Sequence, residues 1–366
     1  MDFINYYMPT KILLGEEVIL KNSNIFKNYG KRALIVTGKT SSIINGSLND
    51  VTNALTKEGI IYDLFNKVEE NPSLETIEKI SEFGRNQKSD FIIGIGGGSP
   101  IDASKAAGIL IRNPNATRYN LFDSPLLKSM PIIAVPTTAG TGTETTPYSI
   151  LTDSELQTKH GICQKVFPEY ALLDVKYLMF LPEQITINTT IDALSHLIEG
   201  YMSSKANIFS DTLAEKGLKL FGECLTMIKE RDFTYIVREK LVLASTIAGM
   251  VIAQAGTSIP HAMGYSLTYF HNIPHGKANG ILLNSYLNFC NDENKVRKIL
   301  YLLTLENLND LGDFLNTMLG YVTTVSYEEI CSYANVVALN KDKLKNHPSP
   351  VKREDILNIY KASLKV

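Results

Sequence analysis

The chain has 366 residues, of which 44% are hydrophobic and 20% are charged, and its formal net charge is −2. This length suggests two domains, while the balanced charge argues against binding to nucleic acid, which selects a basic surface. Residues Met1–Asn5 lack the basic and apolar regions of a secretory signal, and no apolar run reaches the roughly 18–20 residues that cross a bilayer, so we expect a cytoplasmic protein with no membrane partner.

Strand and helix patterns alternate in the first half of the chain. Amphipathic helices are predicted at Ser47–Lys57 and at Ser73–Arg85, where apolar residues recur at helical spacing. Strands that alternate with helices form βαβ units, so we predict an α/β domain with a mostly parallel sheet over residues 1–180. Short runs rich in β-branched residues predict the strands Ala33–Thr37, Ile60–Phe65, Asp90–Ile95 and Ile132–Val135.

The second half of the chain loses its strand signals from about Pro182 onward. Long helical patterns follow one another there, at Pro182–Met202, Asp211–Ile228 and Tyr235–Gln254. Pro182 suits the first turn of a helix, where a missing N–H group removes no hydrogen bond. We therefore predict an all-helical domain over residues 181–366.

A glycine-rich turn, Gly94–Asp102, follows the strand at Asp90–Ile95 and opens a helix predicted at Ser99–Ile111. Glycines let the backbone approach a phosphate closely, and the helix N-terminus offers free N–H groups. Ser99 is predicted to cap this helix, with Pro100 in its first position. The turn differs from the usual dinucleotide fingerprint, because it follows a later strand and a serine replaces the third glycine. It indicates phosphate binding without naming a cofactor, and a tight turn that binds nothing is the alternative.

A threonine-rich loop, Pro136–Thr146, follows the strand at Ile132–Val135 and holds six threonines in eleven residues. A loop at the carboxyl end of a parallel strand is well placed to bind ribose, pyrophosphate or a nicotinamide amide. The alternative is a solvated surface loop. Because two such loops would share one edge of the sheet, each strengthens the ligand-binding interpretation of the other.

Candidate metal ligands lie in the second half. Asp192 and His196 are four residues apart, so a helix would place both on one face, one turn apart. His261 and His275 follow later, and three imidazoles with one carboxylate suit Fe²⁺ or Zn²⁺. Each residue also has an ordinary explanation as a hydrogen-bonded core or surface group, and spacing alone does not join His261 and His275 to the helical pair.

Together with Tyr7–Thr10 and His275–Ala278, the motifs described above resemble those of one family, the iron-containing, or group III, alcohol dehydrogenases, and the resemblance covers essentially the whole chain. The resemblance implies a Rossmann-like cofactor domain followed by a helical metal domain, the dehydroquinate synthase-like architecture. It implies that Asp192, His196, His261 and His275 are the catalytic metal ligands, with Fe²⁺ as the ion and Zn²⁺ as the alternative. The motifs that carry the resemblance are Tyr7–Thr10, Gly96–Asp102, Pro136–Gly142, Asp192–His196 and His275–Ala278.

The same resemblance implies a nicotinamide cofactor. Members of the family that prefer NAD tend to hold an aspartate just after the first strand, where it repels a 2′-phosphate. Gly38 stands at that place here, followed by Lys39 and hydroxyl side chains, so we expect NADP to be preferred over NAD. The family's cofactor contacts carry over to Gly38, Lys39, Ser41, Ser42, Asn71, Gly97, Gly98, Ser99, Asp102, Thr137, Thr138, Thr146 and Lys159.

The expected activity is hydride transfer between NADP(H) and a small primary alcohol, diol or aldehyde, by a homodimer or higher homo-oligomer. One departure from the family is Tyr265, which stands where some members carry a histidine that relays protons. The alternatives for that role are the Tyr265 hydroxyl, His271 and bulk water. Three alternatives stay open: a zinc-dependent, glycerol dehydrogenase-like polyol oxidoreductase, a lyase or cyclase on the same fold, and a binding module without turnover. The lyases carry extra basic residues for a substrate phosphate, and Lys277 is the nearest base to the histidine motifs.

Overall fold

The computed structural model describes residues 4–123, 125–322 and 324–364. These residues separate into two compact units, Met8–Leu181 and a second unit that joins residues 182–364 to residues 4–7. The sequence alone assigns residues 4–7 to the first domain, but their contacts are with the second. The backbone N–H of Tyr7 donates to the Gln254 side-chain oxygen at 3.1 Å, and the Gln254 amide donates back to the Tyr7 carbonyl at 2.8 Å.

A six-stranded parallel sheet, in the order β1-β8-β5-β4-β2-β3, forms the centre of the first unit. An antiparallel hairpin, β6-β7, stands apart from it. The predicted mostly parallel α/β fold is confirmed. The strands are β1 (Lys11–Leu14), β2 (Arg32–Thr37), β3 (Ile61–Phe65), β4 (Phe91–Gly96), β5 (Ile132–Pro136), β6 (Ile150–Asp153), β7 (Thr158–Gly161) and β8 (Tyr170–Leu173).

Strands β2, β4 and β5 are buried on both faces of the sheet because helices cover each side. Alternate side chains of β2 enter different hydrophobic clusters: Ile35 lies in the cluster that contains Val51 of the helix Ser47–Lys57, whereas Leu34 lies in the one that contains Ile77. This explains why these strands read as continuous apolar runs in the sequence. The helices of the first unit are α1 (Val18–Lys21), α2 (Ser41–Ile44), α3 (Ser47–Lys57), α4 (Leu74–Gln87) and α5 (Gly98–Arg112).

Helices make up the second unit among the described residues. The predicted helix Asp211–Ile228 is in fact two helices. A Cβ atom on Gly222, where the first of them ends, would lie 2.1 Å from the carbonyl oxygen of Leu302, so this glycine permits a close backbone contact. The helices are α6 (Glu183–Tyr201), α7 (Ile208–Gly222), α8 (Leu225–Glu230), α9 (Tyr235–Ala255), α10 (Ile259–His271), α11 (His275–Phe289), α12 (Glu293–Leu302), α13 (Leu308–Leu319), α14 (Tyr327–Leu339), α15 (Lys341–Leu344) and α16 (Arg353–Leu364).

No single helix among the described residues has both the length and the apolar composition of a membrane span. One sharply bent pair, α9 with α10, meets those two criteria when its members are taken together.

Candidate functional site

Helix α6 carries the first two candidate metal ligands. Asp192 and His196 lie one turn apart and are buried, with 3% and 5% of their surface exposed. Burial raises the pKa of Asp192, but the imidazoles of His196, His275 and His261 lower it more, so the net shift is downward. The carboxylate therefore stays ionised at neutral pH.

His261 and His275 reach the same place from two other helices. His261 is the third residue of α10, and His275 is the first residue of α11. Their Nε2 atoms lie 3.7 and 4.0 Å from Oδ1 of Asp192. One ligand atom from each of these three residues lies within 4.8 Å of the others. We call Asp192, His196, His261 and His275 the metal cluster.

His196 is not one of the three residues whose ligand atoms lie within 4.8 Å of one another. Its ring contacts one of them instead. Its imidazole stacks on that of His261, with the ring centroids 4.5 Å apart and the planes inclined by 22°. Its Nδ1 atom is buried and has no hydrogen-bond partner among the described residues. A buried carboxylate beside three imidazoles, one of which keeps an unused nitrogen, fits a divalent ion with nitrogen and oxygen ligands such as Fe²⁺ or Zn²⁺.

Two residues that the sequence predictions missed contact the metal cluster. Asn279 donates to Oδ1 of Asp192 at 3.0 Å, and its amide nitrogen lies 3.2 Å from Nε2 of His275. Glu199 is fully buried and contacts Nδ1 of His261. Burial raises the pKa of Glu199 above its ordinary value, against the opposing effect of the hydrogen bond from the Ser258 backbone amide. Helical spacing was the sequence signal that could have found both residues, because Glu199 lies three positions after His196 and Asn279 lies four positions after His275.

One aromatic side chain, that of Tyr265, packs against His275, the most exposed member of the metal cluster. The Tyr265 ring lies nearly parallel to that of His275, with a centroid separation of 5.7 Å and an interplanar angle of 12°. His271 lies at the far end of α10, about 15 Å from His261 along the helix axis. Its Nε2 is 2.9 Å from the Tyr333 hydroxyl, so His271 does not take the place of the histidine that Tyr265 replaces.

In the first unit, the glycine-rich turn and the threonine-rich loop pack against each other. Gly96 pairs with Pro136 at the carboxyl ends of β4 and β5. A Cβ atom on Gly97 would lie 3.0 Å from Oγ1 of Thr138. One on Gly98 would lie 2.9 Å from the Thr141 side chain. Glycine at both positions thus leaves room for the threonine side chains of the facing loop.

Ser99 has a different role from the predicted helix cap. Gly97 is the N-cap of α5 and makes no side-chain cap, while the Ser99 hydroxyl accepts a hydrogen bond from the N–H of Asn71 at 3.1 Å. The predicted cap is therefore wrong. Asn71 in turn accepts a 2.6 Å hydrogen bond from Nζ of Lys159, which lies on β7. Three predicted cofactor residues are thus joined in one chain of hydrogen bonds.

Asp102 and the buried Lys105 hold the threonine-rich loop. The Asp102 carboxylate accepts hydrogen bonds from the Thr143 hydroxyl and from the Ile150 N–H, the latter at 2.9 Å. Nζ of Lys105 donates to the Thr143 and Thr146 carbonyl oxygens at 2.7 and 3.0 Å. The loop that contains Thr137, Thr138 and Thr146 is therefore anchored at its carboxyl end by α5.

Among the predicted cofactor residues after β2, Lys39 and Ser41 are exposed to solvent and Ser42 is buried. Lys39, Thr40 and Ser41 are exposed. Ser42 is buried, and its hydroxyl accepts a 2.9 Å hydrogen bond from that of Thr37. A Cβ atom on Gly38 would meet only the Val68 carbonyl oxygen, at an ordinary 3.6 Å.

The model of the family "iron-containing alcohol dehydrogenase" matches residues 9–175, and that of the Fe-containing alcohol dehydrogenase family, C-terminal, matches residues 186–364. The chain belongs to the iron-containing alcohol dehydrogenase family. As a member it is an oxidoreductase, and the recognition of this family from sequence motifs is confirmed.

Relatives of this alcohol dehydrogenase family agree with the assignment. An NADPH-dependent butanol dehydrogenase of Clostridium saccharobutylicum is 33% identical over 78% of this chain and 74% of its own length. A lactaldehyde reductase of Escherichia coli (strain K12) is 32% identical over 91% of this chain and 86% of its own length. The crystal structure of an iron-containing alcohol dehydrogenase from Thermotoga maritima is 40% identical, covers 99% of both chains and has a TM-score of 0.92.

Proposed function

We propose that this chain is a metal-dependent alcohol dehydrogenase and aldehyde reductase that transfers a hydride between NADP(H) and a small primary alcohol, diol or aldehyde. The observation that carries the proposal is the metal cluster. Three of its residues bring ligand atoms within 4.8 Å of one another from three different helices, and the ring of the fourth, His196, stacks on that of His261. Fe²⁺ is the proposed ion, and Zn²⁺ is the alternative.

The metal cluster supplies charge and orientation for this reaction. A divalent ion held there would supply Lewis acidity, which lowers the pKa of an alcohol hydroxyl and polarises an aldehyde carbonyl. Asp192 provides a buried negative charge, and Asn279 holds its carboxylate by a hydrogen bond. His275 has 25% of its side chain exposed, whereas His261 has 3%. The side of His275 and of the stacked Tyr265 is therefore where we place the substrate.

The loops at the carboxyl edge of the sheet are the proposed cofactor site. A nicotinamide cofactor would carry the hydride. Helix α5 begins at Gly98, so its first N–H groups are available to a pyrophosphate. Hydrogen bonds through Asn71, Lys159 and Asp102 hold the neighbouring segments in place.

NADP is the proposed cofactor because of the segment after β2. No carboxylate lies between Gly38 and Ser42, and the exposed Lys39, Thr40 and Ser41 suit a phosphate dianion. The relative from C. saccharobutylicum is called NADPH-dependent, which supports the proposal. The names of two relatives, a butanol dehydrogenase and a lactaldehyde reductase, support a short-chain alcohol or aldehyde as substrate.

The test is NADPH oxidation with butyraldehyde, lactaldehyde and dihydroxyacetone after the metal is removed by a chelator. We expect no turnover from the stripped protein and recovery when Fe²⁺ is added without oxygen. Recovery with Zn²⁺ alone, and only with dihydroxyacetone, would support the polyol alternative. Full turnover by the stripped protein would contradict the proposed function.

A further inference from the structure

Glu199 shares one helix with two members of the metal cluster. It follows His196 by three residues and Asp192 by seven on α6, so all three side chains lie along one face of that helix. Its side chain is completely buried. A buried carboxylate requires partners that compensate for the loss of water, and the partners of Glu199 are on α10.

Both oxygens of the Glu199 carboxylate are used at the start of α10. Oε2 accepts the N–H of Ser258, the N-cap residue, at 2.7 Å and lies 3.5 Å from the N–H of His261. The Ser258 side chain makes no cap of its own, and Pro260 has no N–H to offer. Glu199 thus satisfies the N-terminus of α10 from a neighbouring helix.

The other oxygen of Glu199 determines the state of the His261 ring. Oε1 contacts Nδ1 of His261, and an ionised carboxylate can only accept a hydrogen bond. When Glu199 is ionised, Nδ1 therefore carries the proton, which leaves the lone pair of a neutral ring on Nε2. That Nε2 is the atom 3.7 Å from Oδ1 of Asp192, inside the metal cluster.

We propose that Glu199 is a positioning residue for the metal centre, which holds His261 in its Nδ1–H tautomer and so presents Nε2 to the ion. The inference rests on the proposed function, in which the metal cluster binds a divalent ion. It adds that one carboxylate sets both the position of α10 and the rotation of the ligand ring. Carboxylates that accept from a ligating histidine commonly raise metal affinity about 10–100-fold.

The first experiment uses Glu199→Gln, which keeps the shape of the side chain. Glutamine has one carbonyl oxygen, so it can accept from Ser258 or from His261 but presents an N–H group to the other. We expect the affinity for Co²⁺, measured by competition with a chromophoric chelator at pH 8, to fall about 10–100-fold. The visible absorption of the bound Co²⁺ should also change, because the His261 ring is free to turn.

The matched control is Glu329→Gln. Glu329 lies 3.4 Å from the imidazole of His271, and His271 is also on α10 but outside the metal cluster. The Co²⁺ affinity and the absorption spectrum of the Glu329→Gln variant should therefore equal those of the wild type. A role for Glu199 in capping alone predicts a lower melting temperature for metal-free Glu199→Gln, with Co²⁺ affinity within about twofold and an unchanged spectrum. That result would overturn the inference. Failure of the wild type to bind Co²⁺ would overturn the proposed function, and this inference with it.

A measurement on the unaltered protein tests the same claim without a variant. In Zn²⁺-loaded protein with ¹⁵N-labelled histidine, we expect the His261 signals of a protonated Nδ1 and a metal-bound Nε2. A metal-bound Nδ1 would contradict the proposal, since Nδ1 is the atom assigned to Glu199.

Discussion

Asp192 supplies the one carboxylate of the metal cluster. Its carboxylate is 3% exposed and lies among three imidazoles. Burying an anion is costly unless opposite charge or hydrogen bonds compensate for it. The N–H of Asn279 supplies one hydrogen bond, and the proposed cation would supply the opposite charge.

Cofactor choice is a residue-scale property that depends on Gly38. Replacing Gly38 with aspartate adds a carboxylate where there is room, because the new Cβ would meet only a carbonyl oxygen at 3.6 Å. We expect kcat/KM with NADPH to fall by about tenfold or more through like-charge repulsion, with little change for NADH. Gly38→Ala adds the Cβ without the charge and should keep the wild-type ratio. A Gly38→Asp variant that still prefers NADPH to the same degree would contradict this account.

Lys105 is a completely buried cation that anchors the threonine-rich loop through carbonyl oxygens. Lys105→Met leaves those oxygens unpaired and Asp102 without its neighbouring charge. We expect the free energy of unfolding to fall by about 3–5 kcal/mol and KM for the cofactor to rise. The exposed Lys31→Met should change stability by less than about 0.5 kcal/mol. Equal stability of the two variants in urea denaturation would show that Lys105 does not hold the loop.

The burial of Lys105 also makes the free energy of unfolding depend on pH. Burial lowers the pKa of Lys105 from its ordinary 10.5 to about 8, despite the opposing charges of Asp102 and Glu144. Between these pH values the unfolded chain holds a proton that the folded chain has lost, so the free energy of unfolding rises with pH in this window. We expect the stability difference between wild type and Lys105→Met to grow from pH 8 to pH 10.5. A difference that shrinks with rising pH would contradict the assignment.

At the scale of elements, three helices meet at the metal cluster, and a glycine lies where α11 approaches α6. A Cβ atom on Gly276 would lie 1.8 Å from the carbonyl oxygen of Asn188 and 3.1 Å from Cβ of Asp192. Glycine therefore allows α11 to begin close enough to α6 for His275 to reach Asp192. The adjacent Pro274 is the N-cap residue of α11.

Gly276→Ala should therefore separate the two helices and weaken metal binding together with stability. Gly222→Ala is the matched steric control, since its Cβ would lie 2.1 Å from the carbonyl oxygen of Leu302 at the end of α7, on an element that carries no member of the metal cluster. We expect both variants to melt at lower temperature, and only Gly276→Ala to lose Co²⁺ affinity, by about tenfold or more. Equal Co²⁺ affinities in chelator competition would refute this role of Gly276.

Elements with strong local signals were predictable from the sequence, and short or partly exposed ones were not. The predicted helix Ser47–Lys57 is confirmed residue for residue, and the four predicted strands are present within about one residue. Strands β1 and β8 have four residues each and pair with distant segments, so no local pattern marks them. The end of α7 at Gly222 depends on a contact with Leu302, which helical periodicity does not encode.

At the scale of the whole chain, each compact unit holds one part of the proposed chemistry. The first holds the glycine-rich turn and the threonine-rich loop, and the second holds the metal cluster. Helical spacing predicted the pair Asp192 and His196, whereas His261 and His275 were assigned through the family resemblance. These two lie more than sixty residues further along the chain, and the fold brings them to the pair. Glu199 was missed although it lies three residues after His196 on α6, because that spacing does not show its contact with α10.

The most direct test of the metal cluster is the metal content of His275→Ala beside that of the wild type. Both proteins are stripped, reloaded with Fe²⁺ without oxygen, desalted, and assayed for bound iron and for NADPH-dependent aldehyde reduction. The control is His271→Ala, since His271 lies on α10 outside the metal cluster. We predict about one ion per chain in the wild type and in His271→Ala, and loss of both iron and turnover in His275→Ala. A full complement of iron with near-normal turnover in His275→Ala would contradict the central claim.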